Sequence, residues 1–157
     1  MPTSSVTDLW ETIALEAEQE SPLWAGALRP AAERELEPVF SPLCDPRFAL
    51  GLETIYEGYL VHYGQPRLFA PPDRDTALLL GDYLYAHGLV RVAAENDVQG
   101  VAALAELISL VSHRRAEGRV DDGPAWVSTA ARLGGSSANT DEEAVGRALA
   151  AHGERVG

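Results

Sequence analysis

The chain has 157 residues, with 24 acidic against 12 basic side chains and a net charge of −12. That length suffices for one helical domain with a real core and is short for two. The charge opposes binding to nucleic-acid phosphates or anionic lipid surfaces, and no basic patch offsets it. A single cysteine, Cys44, excludes an intrachain disulfide and a cysteine metal cluster, so a reduced, cytosolic setting is the simplest expectation. Met1 to Glu20 carries Asp8, Glu11, Glu16 and Glu18 without a basic leader or a continuous apolar run, unlike a secretory signal. No window approaches the roughly 20 apolar residues that cross a bilayer.

In chain order, Thr7 or Asp8 is placed to cap an amphipathic helix to about Glu20, with Leu9, Ile13, Leu15 and Ala17 on or near its apolar side. Ser21-Pro22 reads as an N-cap and first position of a second helix to about Leu36, with a kink or restart at Pro30. Pro38 to Pro46 holds three prolines and reads as a loop. A helix follows from Arg47 to about Tyr63, stopped by Gly64-Gln65-Pro66.

After a proline-rich connector, Asp73 caps a helix from about Arg74 to Ala94. Ala77, Leu80, Leu84, Gly88 and Val92 recur there at helical spacing, with apolar content high enough for burial on most sides. Asp97 opens another long helix to about Glu117, whose end places Arg114-Arg115 near the carbonyl terminus. A shorter helix spans Pro124 to Leu133, Gly134-Gly135-Ser136-Ser137 is a turn, and Asp141-Glu142-Glu143 begins the last helix. No segment alternates as a strand does. The expected fold class is all-α, a helical bundle, with residues 1–157 as a single domain.

The histidines His62, His87, His113 and His152 form no HxxxH or HExxH pattern, and no GxSxG elbow or P-loop is present. Glu53 and Glu57, four apart, share one helix face. Two such carboxylates could hold Mg²⁺ against a diphosphate. The same pattern is common on solvated helix faces, and that is the preferred reading.

One longer pattern stands out: Glu53-Thr54-Ile55-Tyr56-Glu57, then Tyr63-Gly64-Gln65-Pro66, then Gly81-Asp82-Tyr83-Leu84-Tyr85-Ala86. Its order and spacing resemble the segment of trans-prenyl diphosphate synthases from the first aspartate-rich motif, DDxxD, through RRGxP to the GDYLL helix. Asp97 to Glu117, Ala130-Ala131-Arg132-Leu133-Gly134 and Asp141 to Gly157 are similar to the helices that follow. The resemblance covers residues 49–157, leaving 1–48 as amino-terminal helices of unassigned role. It implies a truncated isoprenoid-synthase-like bundle that stops short of the second aspartate-rich motif.

The chemistry departs from that frame. Glu53, Thr54 and Glu57 make a degenerate first motif, Leu28-Arg29-Pro30 is only an echo of GGKRxRP, and the RRG arginines fall on His62 and Tyr63. The family's later lysine-threonine falls on Asp122 and Gly123, where a carboxylate repels phosphate.

The resemblance therefore implies an accessory subunit, non-catalytic alone, of a heteromeric prenyltransferase. A full-length synthase partner would supply the aspartate motifs and Mg²⁺, while this chain supports it and helps set product length. In the resembled fold the GDYLL helix packs across the dimer interface, which makes Leu79, Tyr83, Leu84, Tyr85, His87 and Leu89 candidate interface or tail-lining residues. The alternative is a non-catalytic homodimer that binds an apolar ligand or a protein partner.

Overall fold

The computed structural model describes residues 6–134 and 141–156, which form an all-α fold of seven helices without a strand. They are α1 (Val6–Glu20), α2 (Pro22–Ala27), α3 (Ala49–Tyr63), α4 (Arg74–Ala93), α5 (Val98–Ala116), α6 (Gly123–Arg132) and α7 (Glu142–Val156). The turn expected at 134–137 lies, beyond Gly134, outside the described residues.

Side-chain capping explains where three of the helices begin. Asp73 accepts from the Thr76 N–H at 2.8 Å to open α4, and Asp97 accepts from the Gly100 N–H at 2.8 Å to open α5. Ser21 does the same for α2 through the Leu23 N–H. Helix α1 starts at Val6, so Thr7 and Asp8 fall inside its first turn rather than ahead of it.

The second helix is shorter than expected: it ends at Ala27, and Pro30 precedes only a 3-10 turn, Ala31–Glu33. The chain leaves the helix there because it pairs instead with the α3–α4 connector. Arg29 N–H donates to the Leu68 carbonyl, Ala70 N–H to Ala27 and Glu35 N–H to Arg67. The expected loop before α3 contains two further 3-10 turns, Ser41–Leu43 and Pro46–Phe48.

Helices α3 and α4 form the central pair. Gly51 and Gly58 on α3 and Gly81 and Gly88 on α4 repeat at the same seven-residue interval and face one another. A methyl at Gly58 would stand 2.9 Å from the Gly81 carbonyl oxygen, and one at Gly51 would stand 2.6 Å from a Val92 methyl. At Gly81 it would run into the His62 ring. The absence of side chains at these positions lets the two backbones approach closely.

Two apolar clusters flank this pair. The larger gathers Phe40, Leu52, Ile55, Leu104, Val111 and Trp126 with the buried face of α7, and the smaller gathers Trp10, Ile13, Ala17, Trp24, Phe69 and Leu80. Trp10 and Ala14 join Ile13 and Ala17 on the buried face of α1, while Leu15 points outward and is 53% exposed. Its position on the opposite side of the helix decides this.

Burial of α4 on most sides is likewise not observed. Leu80, Leu84, Gly88 and Val92 are buried as their spacing predicts, yet Leu79 is 58% and Val90 64% exposed.

Gly58→Ala is expected to destabilise the chain by about 1 to 3 kcal/mol, because the new methyl meets backbone that cannot yield. Gly153→Ala, in α7 with nothing near its added methyl, should be neutral or stabilising by up to about 1 kcal/mol. Urea unfolding of the two variants checks the contrast.

Candidate functional site

Glu53 and Glu57 lie on the face of α3 that meets the connector at Arg67, and all three side chains are fully buried. Arg67 donates through Nε to Glu57 at 2.9 Å and through Nη1 to Glu53 at 2.7 Å. Its Nη1 also reaches the Glu37 carbonyl at 2.8 Å. The guanidinium is covered by Trp10 at 4.4 Å, with Tyr56 at 5.1 Å. Burial would weaken its hold on the proton, but the two carboxylates outweigh that and raise its pKa.

Backbone donors complete the shell. The Val39 and Ser41 N–H groups donate to Glu53 at 3.0 and 3.2 Å, and the Arg67 and Leu68 N–H groups to Glu57 at 2.9 and 2.8 Å. The solvated-face reading of the pair is thus corrected: four residues of spacing put both carboxylates on one face, and that face is inward. Nor do they fit a Mg²⁺ site, since their oxygens already accept from a guanidinium and four N–H groups. Thr54, between them, is buried and its hydroxyl donates to the Leu50 carbonyl at 2.6 Å.

A second polar centre sits on the same helix, toward α5, α6 and α7. Tyr56 Oη lies 2.7 Å from His152 Nδ1, and His152 Nε2 lies 3.1 Å from Asp122 Oδ1. Tyr59 donates to Asp122 Oδ2 at 2.6 Å, and Arg115 Nη2 donates to the Tyr59 oxygen at 2.6 Å. Burial pushes the Asp122 carboxyl up, but the hydrogen bonds from His152 and Tyr59 and the charge of Arg115 prevail and hold it below its ordinary 3.8. Burial drives the phenols of Tyr56 and Tyr59 well above their ordinary 10.0.

Aromatic rings fill the surrounding space. Phe40 stacks on Trp126 with centroids 5.6 Å apart, while Tyr56 and Tyr59 meet Trp126 edge-on at 5.0 and 5.3 Å. Cys44 is buried nearby; burial and the charges of Glu53 and Asp45 push its thiol up to about 12, so it is no ready nucleophile.

The candidate interface residues divide. Leu79 is exposed, Tyr83, His87 and Leu89 are half-buried, and Leu84 and Tyr85 are in the core. Tyr83 packs against Trp24 of α2 at 5.7 Å, and His87 sits 3.1 Å from Glu16 of α1. The amino-terminal helices therefore occupy part of the face proposed for a partner. Among the open residues of α4 is the stripe Leu79, Ala86, Val90 and Ala93, one helical face by spacing.

Each histidine faces a carboxylate: His62 with Asp82, His87 with Glu16, His113 with Glu117 and His152 with Asp122. Only the His113–Glu117 pair, at i and i+4, was visible in sequence spacing. Arg67 and Tyr59 escaped sequence reasoning, while Tyr56 was noted only as a spacer in the degenerate motif, His152 only as a histidine outside any metal pattern, and Asp122 only as a lost lysine. Among the described residues no group of three or more His, Cys, Asp or Glu is placed to hold a metal ion, and no helix is long and apolar enough to cross a membrane. Comparison with protein-family models, curated proteins and solved structures found no match, so the likeness to prenyl synthases rests on the motifs alone.

Arg67→Met is expected to lose about 3 to 5 kcal/mol by leaving two buried carboxylates without their cation. Adding Glu53→Gln and Glu57→Gln should recover part of it, read from urea midpoints.

Asp122→Asn is expected to lose about 3 kcal/mol at neutral pH. Because the folded Asp122 carboxyl titrates below 3.8, its contribution is complete above that value and is lost as the pH falls through the folded pKa. The stability gap between the two proteins should therefore close in strong acid, as unfolding curves across pH would show.

Proposed function

We propose that this chain is a non-catalytic accessory subunit of a heteromeric trans-prenyl diphosphate synthase. One observation carries the reading: the carboxylates at the position of the first aspartate-rich motif are built into a buried ion cluster with Arg67. Side chains that hold a core together are not available to a leaving diphosphate. The motif spacing is the ground for the family in this reading, and the buried geometry supports a scaffold role.

The exposed stripe of α4 supports a subunit role as well. Leu79 and Val90, with Ala86 and Ala93, leave an exposed apolar strip about 20 Å long by helical rise, with the exposed carboxylate of Asp82 at its side. Aligned apolar residues left outside favour contact with another molecule. In this reading the partner contributes Mg²⁺ and the basic diphosphate clamp, while this chain braces the wall against which the hydrocarbon tail grows.

The test is a prenyl-transfer assay with labelled isopentenyl diphosphate, an allylic diphosphate and Mg²⁺. It compares this chain alone, a full-length synthase from the same genome alone, and their mixture. Higher activity or altered product length only in the mixture is expected. Leu79→Asp combined with Val90→Asp should abolish that effect and the co-purification without changing helix content. Unchanged products in the mixture, with this chain running as a stable homodimer, would instead favour a homodimeric binding protein.

A further inference from the structure

Outside both buried centres, a groove of about 510 Å³ runs between the carboxyl end of α3, the start of α4 and the end of α5. Its volume lies within the range of small-molecule sites. Val61, Ala77 and Leu78 make its apolar side. Its polar side carries Arg74 and Ser112, together with the pair His62 and Asp82, whose Nε2 and Oδ1 are 3.2 Å apart.

The hydrogen-bonding capacity of these groups is unevenly used. Burial holds the His62 imidazole below its ordinary 6.5 against the opposing pull of Asp82, so the ring is uncharged at neutral pH. The Asp82 carboxylate already has the His62 ring beside it. Among the described residues, neither the Arg74 guanidinium nor the Ser112 hydroxyl has a hydrogen-bond or ion-pair partner. What the groove offers a ligand are donors without a protein partner, one of them the solvent-exposed cation of Arg74, beside an apolar wall.

We infer that the groove binds an amphiphilic anion, with its carboxylate or phosphate head on Arg74 and Ser112 and its hydrocarbon part against Val61, Ala77 and Leu78. The guanidinium fork suits either head. With a net charge of −12 the chain as a whole repels anions, so such binding depends on this local arrangement and not on bulk attraction. The inference stands apart from the subunit reading, since it uses neither the buried ion cluster nor the exposed face of α4.

The test titrates the full chain with octyl phosphate, octanoate and octanol by calorimetry. Both anions are expected to bind with single-site stoichiometry, and octanol about tenfold more weakly, since it lacks the charge-assisted bonds. Arg74→Gln should weaken the anions about tenfold and leave octanol unchanged, and Asp82→Asn should tighten the anions by removing a neighbouring negative charge. Arg47→Gln, an exposed arginine away from the groove, should change nothing. A tighter fit for octyl phosphate points to a phosphate monoester as the resident ligand, and a tighter fit for octanoate to a fatty acid. Octanol binding as well as the anions, an indifferent Arg74→Gln, or equal losses in Arg47→Gln would overturn the proposal.

Discussion

The ion cluster of Glu53, Glu57 and Arg67 is the constraint on which the rest of the chain is arranged. Two carboxylates and a guanidinium removed from water are costly unless each lone pair and each N–H finds a partner. Here the missing partners come from backbone. The N–H groups of Val39 and Ser41 converge on Glu53, those of Arg67 and Leu68 on Glu57, and the Glu37 carbonyl accepts a hydrogen bond from the guanidinium. Two irregular segments, before α3 and after it, are pinned by side chains of the helix between them. Trp10 then closes the cluster from α1, so the amino-terminal helices are docked on a charge as well as on an apolar surface.

The second polar centre does for the carboxyl-terminal half what the first does for the amino-terminal half. Asp122 at the start of α6, His152 in α7 and Arg115 at the end of α5 all meet the tyrosines of α3. Each element thereby has a fixed register against the central helix, which apolar packing alone specifies less sharply. The aromatic rings of Phe40, Tyr56, Tyr59 and Trp126 fill the volume between these contacts. Helix α3 consequently spends most of its surface inside: every residue from Gly51 to Val61 is buried.

This distribution bears on function. The polar residues that a sequence reader would assign to chemistry are inside, satisfied by one another, while apolar residues of α4 are outside. Carboxylates so placed stabilise a fold, and apolar side chains so placed favour contact with another molecule. That contrast is what the proposed scaffold or subunit role rests on.

Much of the architecture was legible in the chain itself. Asp73, Asp97 and Ser21 announced their helices because capping depends on residues within one turn, and the apolar spacing of α4 named Leu80, Leu84, Gly88 and Val92 as inward. The shared face of Glu53 and Glu57 was also certain from helical geometry. Whether that face met water or a buried arginine was not, because Arg67 lies ten residues past Glu57 and reaches it only after the connector turns back. The same holds for Asp122 and His152, thirty residues apart, and for Leu79, whose exposure depends on where α1 and α2 come to rest. Local order was thus determined by the sequence through interactions spanning a few residues. The partners of the buried charges, and the face left uncovered, were decided by tertiary structure, because desolvation and ion pairing depend on distance in space rather than along the chain.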